Sequence, residues 1–275
     1  MTCKPTYLIF SFLFSIISIY PAAAAQLCGK LAQGEILVGM APEAETISFR
    51  GKTVALTPQK TFLIAFGRDE LSGQSLIING KERPLTVAPA KWDIQKLTGV
   101  PPRKVTPSEA DLAAIEHESK SVRGAMAGET PVPYWQAGFM RPVPGRISGN
   151  FGGQRVMNGI KKNPHGGMDI AAPVGTPVAA ASDGRIVLAE PDLFYSGNVI
   201  IIDHGYSLFT IYAHLNEIDV VKGQTVKKGE IIGKVGKTGR VTGPHLHWGA
   251  SLAGTRFNPQ SLLNISTSDD FCFNL

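Results

Sequence analysis

His165-Gly166-Gly167-Met168-Asp169 and Gly243-Pro244-His245-Leu246-His247-Trp248 are the stretches that decide how this chain reads. With Tyr212-Ala213-His214-Leu215 they hold four of its six histidines. Side chains two apart on a strand share a face, so His245 and His247 present two imidazoles together. His165 and Asp169 can add a third and a fourth polar group from elsewhere. Two imidazoles and one carboxylate leave the fourth tetrahedral position around Zn2+ open for water, as in a catalytic rather than a structural zinc site. The other histidines read differently. His117, inside Glu116-His117-Glu118, suits a solvated helix face, and His204, inside Asp203-His204-Gly205, suits a turn after a strand from Val199 to Ile202.

Further ordered motifs surround these residues: Gly145-Arg146-Ile147-Ser148-Gly149-Asn150-Phe151-Gly152, Gly175-Thr176-Pro177-Val178, Ala180-Ala181-Ser182-Asp183-Gly184, Val221-Lys222-Gly223-Gln224 and Gly239 onward to Trp248. From about Phe139 to Leu263 the chain resembles the lysostaphin-type, or LytM-domain, zinc metallopeptidases that act as peptidoglycan endopeptidases. The resemblance implies that His165, Asp169 and His247 bind Zn2+ and that His214 and His245 are the catalytic histidines. It also implies peptidoglycan peptide stems as substrate. None of the five positions departs from the family pattern, which argues against its inactive, partner-activating members. As a mechanism, His245 is the candidate general base, while His214 donates to the developing oxyanion or orients the attacking water. The two roles are interchangeable at this level. No helix-borne H-E-x-x-H motif is present to supply a glutamate instead.

Lys4, the apolar run Tyr7 to Tyr20, Pro21 and Ala22 to Ala25 follow the charged, apolar, small-residue order of a signal peptide. The run is shorter than the roughly 20 residues of a spanning helix, so cleavage near Ala25 is expected, with no stable membrane insertion afterwards. Such a leader implies export to the periplasm or the medium, and the resemblance of the β-domain ahead of the peptidase to Gram-negative envelope relatives points to the periplasm and to D-alanyl to diaminopimelate bonds. Loss of Cys3 with the leader leaves Cys28 and Cys272, near opposite ends, free to pair in an oxidising compartment. A lipid-attachment reading of Cys28 fits less well, because Ala25-Gln26-Leu27 lacks the small residue expected just before the cysteine. The net charge is +5, spread without a basic block or an aromatic-basic motif, so nucleic acid is not an expected partner. The oligomeric state has no signature.

The expected fold is mainly β. After a signal peptide over 1–25 come a small β-sandwich-like domain over 26–104, a helix and linker over 105–138, an antiparallel β peptidase domain over 139–265 and a tail over 266–275. Runs such as Ile36 to Met40, Thr46 to Phe49, Thr61 to Phe66 and Leu76 to Ile78, punctuated by Arg50-Gly51 and Asn79-Gly80, predict the first domain. Thr106-Pro107-Ser108-Glu109 predicts a capping box ahead of a helix carrying Leu112, Ile115 and Val122, with Gly124 to Gly138 as linker. Glu116, His117 or Glu118 could reach the metal and keep a proenzyme quiet. Strands are expected at Arg185 to Ala189, Val199 to Ile202, Leu208 to Ala213, Ile231 to Val235 and His245 to Ser251. The run Val221 to Gly233 also resembles a lipoyl-carrier hairpin, but Lys227-Lys228 lacks the setting of a modified lysine. Two rival classes stay open: a noncatalytic wall-binding or amidase-activating protein of the same fold, and a zinc hydrolase acting on ordinary protein.

Overall fold

The computed structural model describes residues 24–265 and 272–275. The expected signal peptide and Cys3 lie outside the described residues. Among the described residues no helix is long and apolar enough to cross a membrane.

Two four-stranded sheets make the first layer pair. One is ordered Cys272–Asn274, Gln26–Cys28, Ile36–Met40, Thr61–Ala65, and the other Lys52–Thr53, Ile47–Phe49, Gly73–Ile78, Lys81–Thr86. Between them Leu27, Leu37, Ile47, Phe62, Ile64, Phe66 and Leu76 form one apolar core, as the alternating runs predict. Asn79 and Gly80 both take positive φ, 48° and 75°, and join Gly73–Ile78 to Lys81–Thr86 as a tight hairpin of the favoured twist. Cys272–Asn274 belongs to this sandwich: it pairs antiparallel with Gln26–Cys28, Cys28 opposite Cys272, and a disulfide joins the two. The first and last strands of the described residues therefore meet in one sheet.

The larger unit is a ten-stranded sheet. Its main path runs Thr225–Val226, Gly184–Leu193, Gly197–Asp203, Leu208–Ile218, His245–Leu252, Gly167–Ala171, Arg146–Gly149. All neighbours on this path are antiparallel. Sequence reading placed five of its strands and missed Gly167–Ala171, a five-residue strand in which a glycine and an aspartate leave only Met168 and Ile170 as large apolar residues. The sheet buries both faces. Ile200, Ile202, Tyr212, Leu246 and Trp248 point into the main core, whereas Val199, Ile201, Phe209, Ile211 and Ala213 point to the other face. Val122, Ala125 and Met126, at the end of the helix Leu112–Ala125, pack on that second face.

The helix start differs from the predicted capping box. Ser108, not Thr106, precedes it, and a 3-10 turn over Glu109–Asp111 leads in. Asp111, not Glu109, reaches back to accept from the Ser108 backbone N–H at 3.0 Å. Asp111 wins because its buried carboxylate also accepts from Arg103 Nε at 2.6 Å, a tertiary partner that Glu109 lacks. The segment after Gly124 is also more than a connector: Trp135 is fully buried in the main core, on a 3-10 turn at Tyr134–Ala137.

Candidate metal centre

Strand register builds the site. Asp169 lies opposite His247 and Ala171 opposite His245 across one strand pair, and His247 lies opposite Ala213 across the next. Because Met168, Ile170, Leu246 and Trp248 are held in the core, alternation turns Asp169, His245 and His247 to the other face. His165 arrives from the loop just before Gly167–Ala171. His214 breaks the regular strand, with φ of +66°, a rare conformation for a residue with a Cβ.

His165 Nε2, His247 Nδ1 and Asp169 Oδ1 converge. The nitrogens are 3.0 Å apart, and Asp169 Oδ1 is 3.0 Å from the first and 2.9 Å from the second. His165 Nδ1 lies 2.9 Å from the Asn150 carbonyl, which can only accept, so that nitrogen carries the proton and Nε2 a lone pair. Acceptor lone pairs thus crowd one point, and a single proton cannot bridge every pair. A cation resolves the crowding: ligands about 2.0 Å from a tetrahedral zinc stand about 3.3 Å apart. The residues present fit Zn2+, and the carbonyl behind His165 is the outer-shell partner such a ligand needs.

Two more imidazoles flank this trio. His245 Nε2 is 3.6 Å from Asp169 Oδ1, and the His214 ring centroid is 4.9 Å from that of His245 and 5.9 Å from that of His247. Each donates Nδ1–H to a carbonyl, His214 to Thr238 at 2.9 Å and His245 to Gly243 at 2.8 Å, which leaves both Nε2 atoms as acceptors. All five residues singled out in the sequence are therefore brought together.

Burial favours the neutral form of His165, His214 and His247. It lowers the pKa of His165 and brings that of His247 to about 4, against the pull of Asp169 in each case. Burial also pushes His214 well below its ordinary value, helped by the charges of His245 and His247. For Asp169 burial works upward, but the imidazoles of His165 and His247 set against it outweigh that and hold the carboxyl well below the usual range. Arg155 Nη2 donates to the outer oxygen of Asp169 at 2.6 Å, so each oxygen of the carboxylate is engaged.

The three residues considered as a metal block do not reach the trio. His117 is largely exposed and faces Glu190 at 3.5 Å. Glu118 is buried and accepts from Tyr195 N–H at 2.6 Å, Ser196 N–H at 3.1 Å and the Ser196 hydroxyl at 2.6 Å. His204 is not merely a turn residue. It is fully buried, its Nδ1–H donating to the Asp183 carbonyl at 2.7 Å and its Nε2 lying 2.7 Å from the Thr210 hydroxyl. Sequence reading missed Arg155, Tyr195 and Arg240, which line the cleft with His165, His214 and His247. No motif flags them, because each acts through a partner remote in sequence.

Three side chains that could hold a metal ion thus sit on an antiparallel sheet with two further imidazoles beside them. Residues 163–259 match peptidase family M23, and this part of the chain is an M23 domain. The chain is 46% identical over 114 residues to peptidoglycan DD-endopeptidase ShyA of Vibrio cholerae, covering 41% of this chain and 26% of that protein. It is 47% identical over 98 residues to DD-carboxypeptidase/endopeptidase Mpg of Neisseria meningitidis, covering 36% and 22%. The matched part thus spans about a quarter of the length of these curated relatives. A crystal structure of a candidate peptidase M23 from Pseudomonas aeruginosa superposes with a TM-score of 0.68 at 28% identity, over 86% of this chain and 96% of that one.

Proposed function

We propose that the protein is a zinc-dependent endopeptidase of the bacterial cell envelope that hydrolyses peptide cross-links of peptidoglycan, with D-alanyl to diaminopimelate amides as the bond cut. The observation that carries this reading is the convergence of His165 Nε2, His247 Nδ1 and Asp169 Oδ1 beside two imidazoles whose Nε2 atoms are free to accept. The DD-endopeptidase relatives support the substrate class.

Zinc held by the trio would polarise the scissile carbonyl and acidify water. His245 takes the proton of the attacking water at Nε2, because it stands nearest the ligand set, and later returns it to the leaving amine. His214 is the second acceptor. Its Nδ1–H is committed to Thr238, so in the neutral form burial enforces it cannot donate to an oxyanion, and it orients the water instead. This favours one of the two roles that sequence reading allowed it. Arg155 holds Asp169 in place from outside the trio. Secretion through the leader and a periplasmic site fit a protein whose substrate lies outside the cytoplasmic membrane.

The test is digestion of purified, defined muropeptide dimers, with mass analysis of the products. The zinc-loaded protein should yield monomers from D-alanyl to diaminopimelate dimers, a chelator should stop the reaction, and zinc should restore it. Dimers left intact under metal-replete conditions would refute the activity, and the noncatalytic, partner-activating reading would then stand.

A further inference from the structure

The cleft holds more positive charge than the trio uses. A cavity of about 250 Å³ is lined by His165, His214 and His247 together with Arg155, Arg240 and Arg256. Arg155 is spoken for by Asp169. Neither Arg240 nor Arg256 makes an ion pair or a side-chain hydrogen bond among the described residues, although the charge of Glu118 acts on Arg240 from a distance. The one other acid lining the cavity, Glu118, spends its oxygens on Tyr195 and Ser196. Desolvation lowers the pKa of both guanidiniums, and Arg155 adds like-charge repulsion at Arg240. A half-buried guanidinium at Arg240 without a hydrogen-bonded acceptor, and a second one at Arg256 on the same cavity wall, cost free energy that a shared anion would recover.

Both side chains are placed rather than loose. The Arg240 guanidinium lies over the Tyr195 ring, 4.2 Å from its centroid, and the Arg240 N–H donates to the Tyr195 carbonyl at 2.8 Å. Tyr195 is in turn fixed by Glu118. Arg256 crosses Gly166, where a Cβ would stand 2.5 Å from Nη1, so the guanidinium can lie beside His165 because residue 166 is glycine. Arg256 is open to the cleft.

We propose that Arg240 and Arg256 form a subsite for a free carboxylate carried by the residue next to the scissile amide. The size of the cavity sets that position: it has room for roughly one residue of substrate, so an anion reaching the arginines lies within a few bonds of the reacting carbonyl. Guanidiniums suit a carboxylate because their planar N–H pairs match its two oxygens. This rests on the endopeptidase reading and adds to it a reason for selecting cross-links whose amine-side residue keeps a free carboxylate.

The experiment compares two muropeptide dimers that differ only at that group, a free carboxylate against its carboxamide, using the zinc-loaded full chain. The expected result is a kcat/KM about 10- to 100-fold higher for the free acid, the range of a hydrogen bond to a charged group, expressed mainly in KM. Arg240→Gln and Arg256→Gln should each bring the ratio toward one while retaining zinc, and Arg256→Lys should recover part of it. Equal kcat/KM for the two dimers in the unaltered protein would overturn the subsite and leave the peptidase standing. Failure to cut either dimer would overturn both. If a glutamine variant does not fold, the two-substrate comparison in the unaltered protein decides alone.

Discussion

Gly149→Ala separates metal placement from every other function of the site. Gly149 faces Asp169 across the strand pair, and a Cβ there would stand 2.7 Å from Oδ2 and 3.3 Å from Cβ and Cγ of Asp169. No left-handed backbone is involved, so the cost is steric. The carboxylate must retreat by roughly half an ångström or more to reach ordinary contact. It cannot rotate freely, since Arg155 holds Oδ2 at 2.6 Å. Metal–ligand distances tolerate only about 0.2 Å, so the displacement should weaken zinc binding about 10- to 100-fold, as loss of an outer-shell partner does. Competition against a chromophoric chelator measures this, with thermal unfolding of the metal-free protein as the check on folding. A variant that binds zinc as tightly as the parent would refute the assignment of Asp169 Oδ1 as a ligand.

Within one strand, His247→Ala should lose most of its zinc together with its activity, while His245→Ala should keep its zinc and lose about 10²- to 10⁴-fold in kcat. Metal analysis showing the reverse would exchange the two roles. Opening the Cys28–Cys272 disulfide should weaken the sandwich by at most about 5 kcal/mol, the upper range for closing a long loop, since it joins strands 244 residues apart in sequence. Denaturant unfolding of Cys28→Ser with and without reductant checks it, and equal midpoints for parent and variant under oxidising conditions would rule it out. His204 titrates at about 4 in the fold because burial disfavours its charged form, against 6.5 when exposed. The unfolded chain therefore takes up the proton first: this contribution to stability is whole above about pH 6.5, declines as pH falls and levels off below about 4, a loss of about 3 kcal/mol. A His204 ring resonance titrating above pH 6 would sink that account.

The site was legible where chemistry and strand period coincide. His245-Leu246-His247 states its own geometry, because alternation alone separates two imidazoles from a core leucine. His165, Asp169 and His214 were legible through their motifs. What escaped was tertiary. Strand Gly167–Ala171 contains too little apolar periodicity to be seen, yet its pairing with His245–Leu252 sets Asp169 against His247. The cap at Ser108 depends on Arg103 selecting Asp111, a choice between two acids that local spacing cannot make. The meeting of Cys28 with Cys272 follows from a sandwich edge that accepts a strand from the far end of the chain, and nothing near either cysteine encodes it.

The helix Leu112–Ala125 draws these strands of argument together. A segment that silences a metal site must place a ligand on it, and neither Glu116, His117 nor Glu118 does so here. Glu118 instead satisfies two backbone N–H groups at Tyr195 and Ser196, and orphaning such donors in a buried setting costs about 1–3 kcal/mol each. Tyr195 supports Arg240, and the adjoining Thr238 carbonyl sets the tautomer of His214. Between the helix and the sheet a cavity of about 740 Å³ runs up to His247, lined by Ile115, Val122 and Met126 on one side and Ile211 and Ala213 on the other. The helix roofs an open groove and braces the loops beside the His165, Asp169 and His247 cluster, and on the endopeptidase reading proposed above it forms a wall of the substrate site.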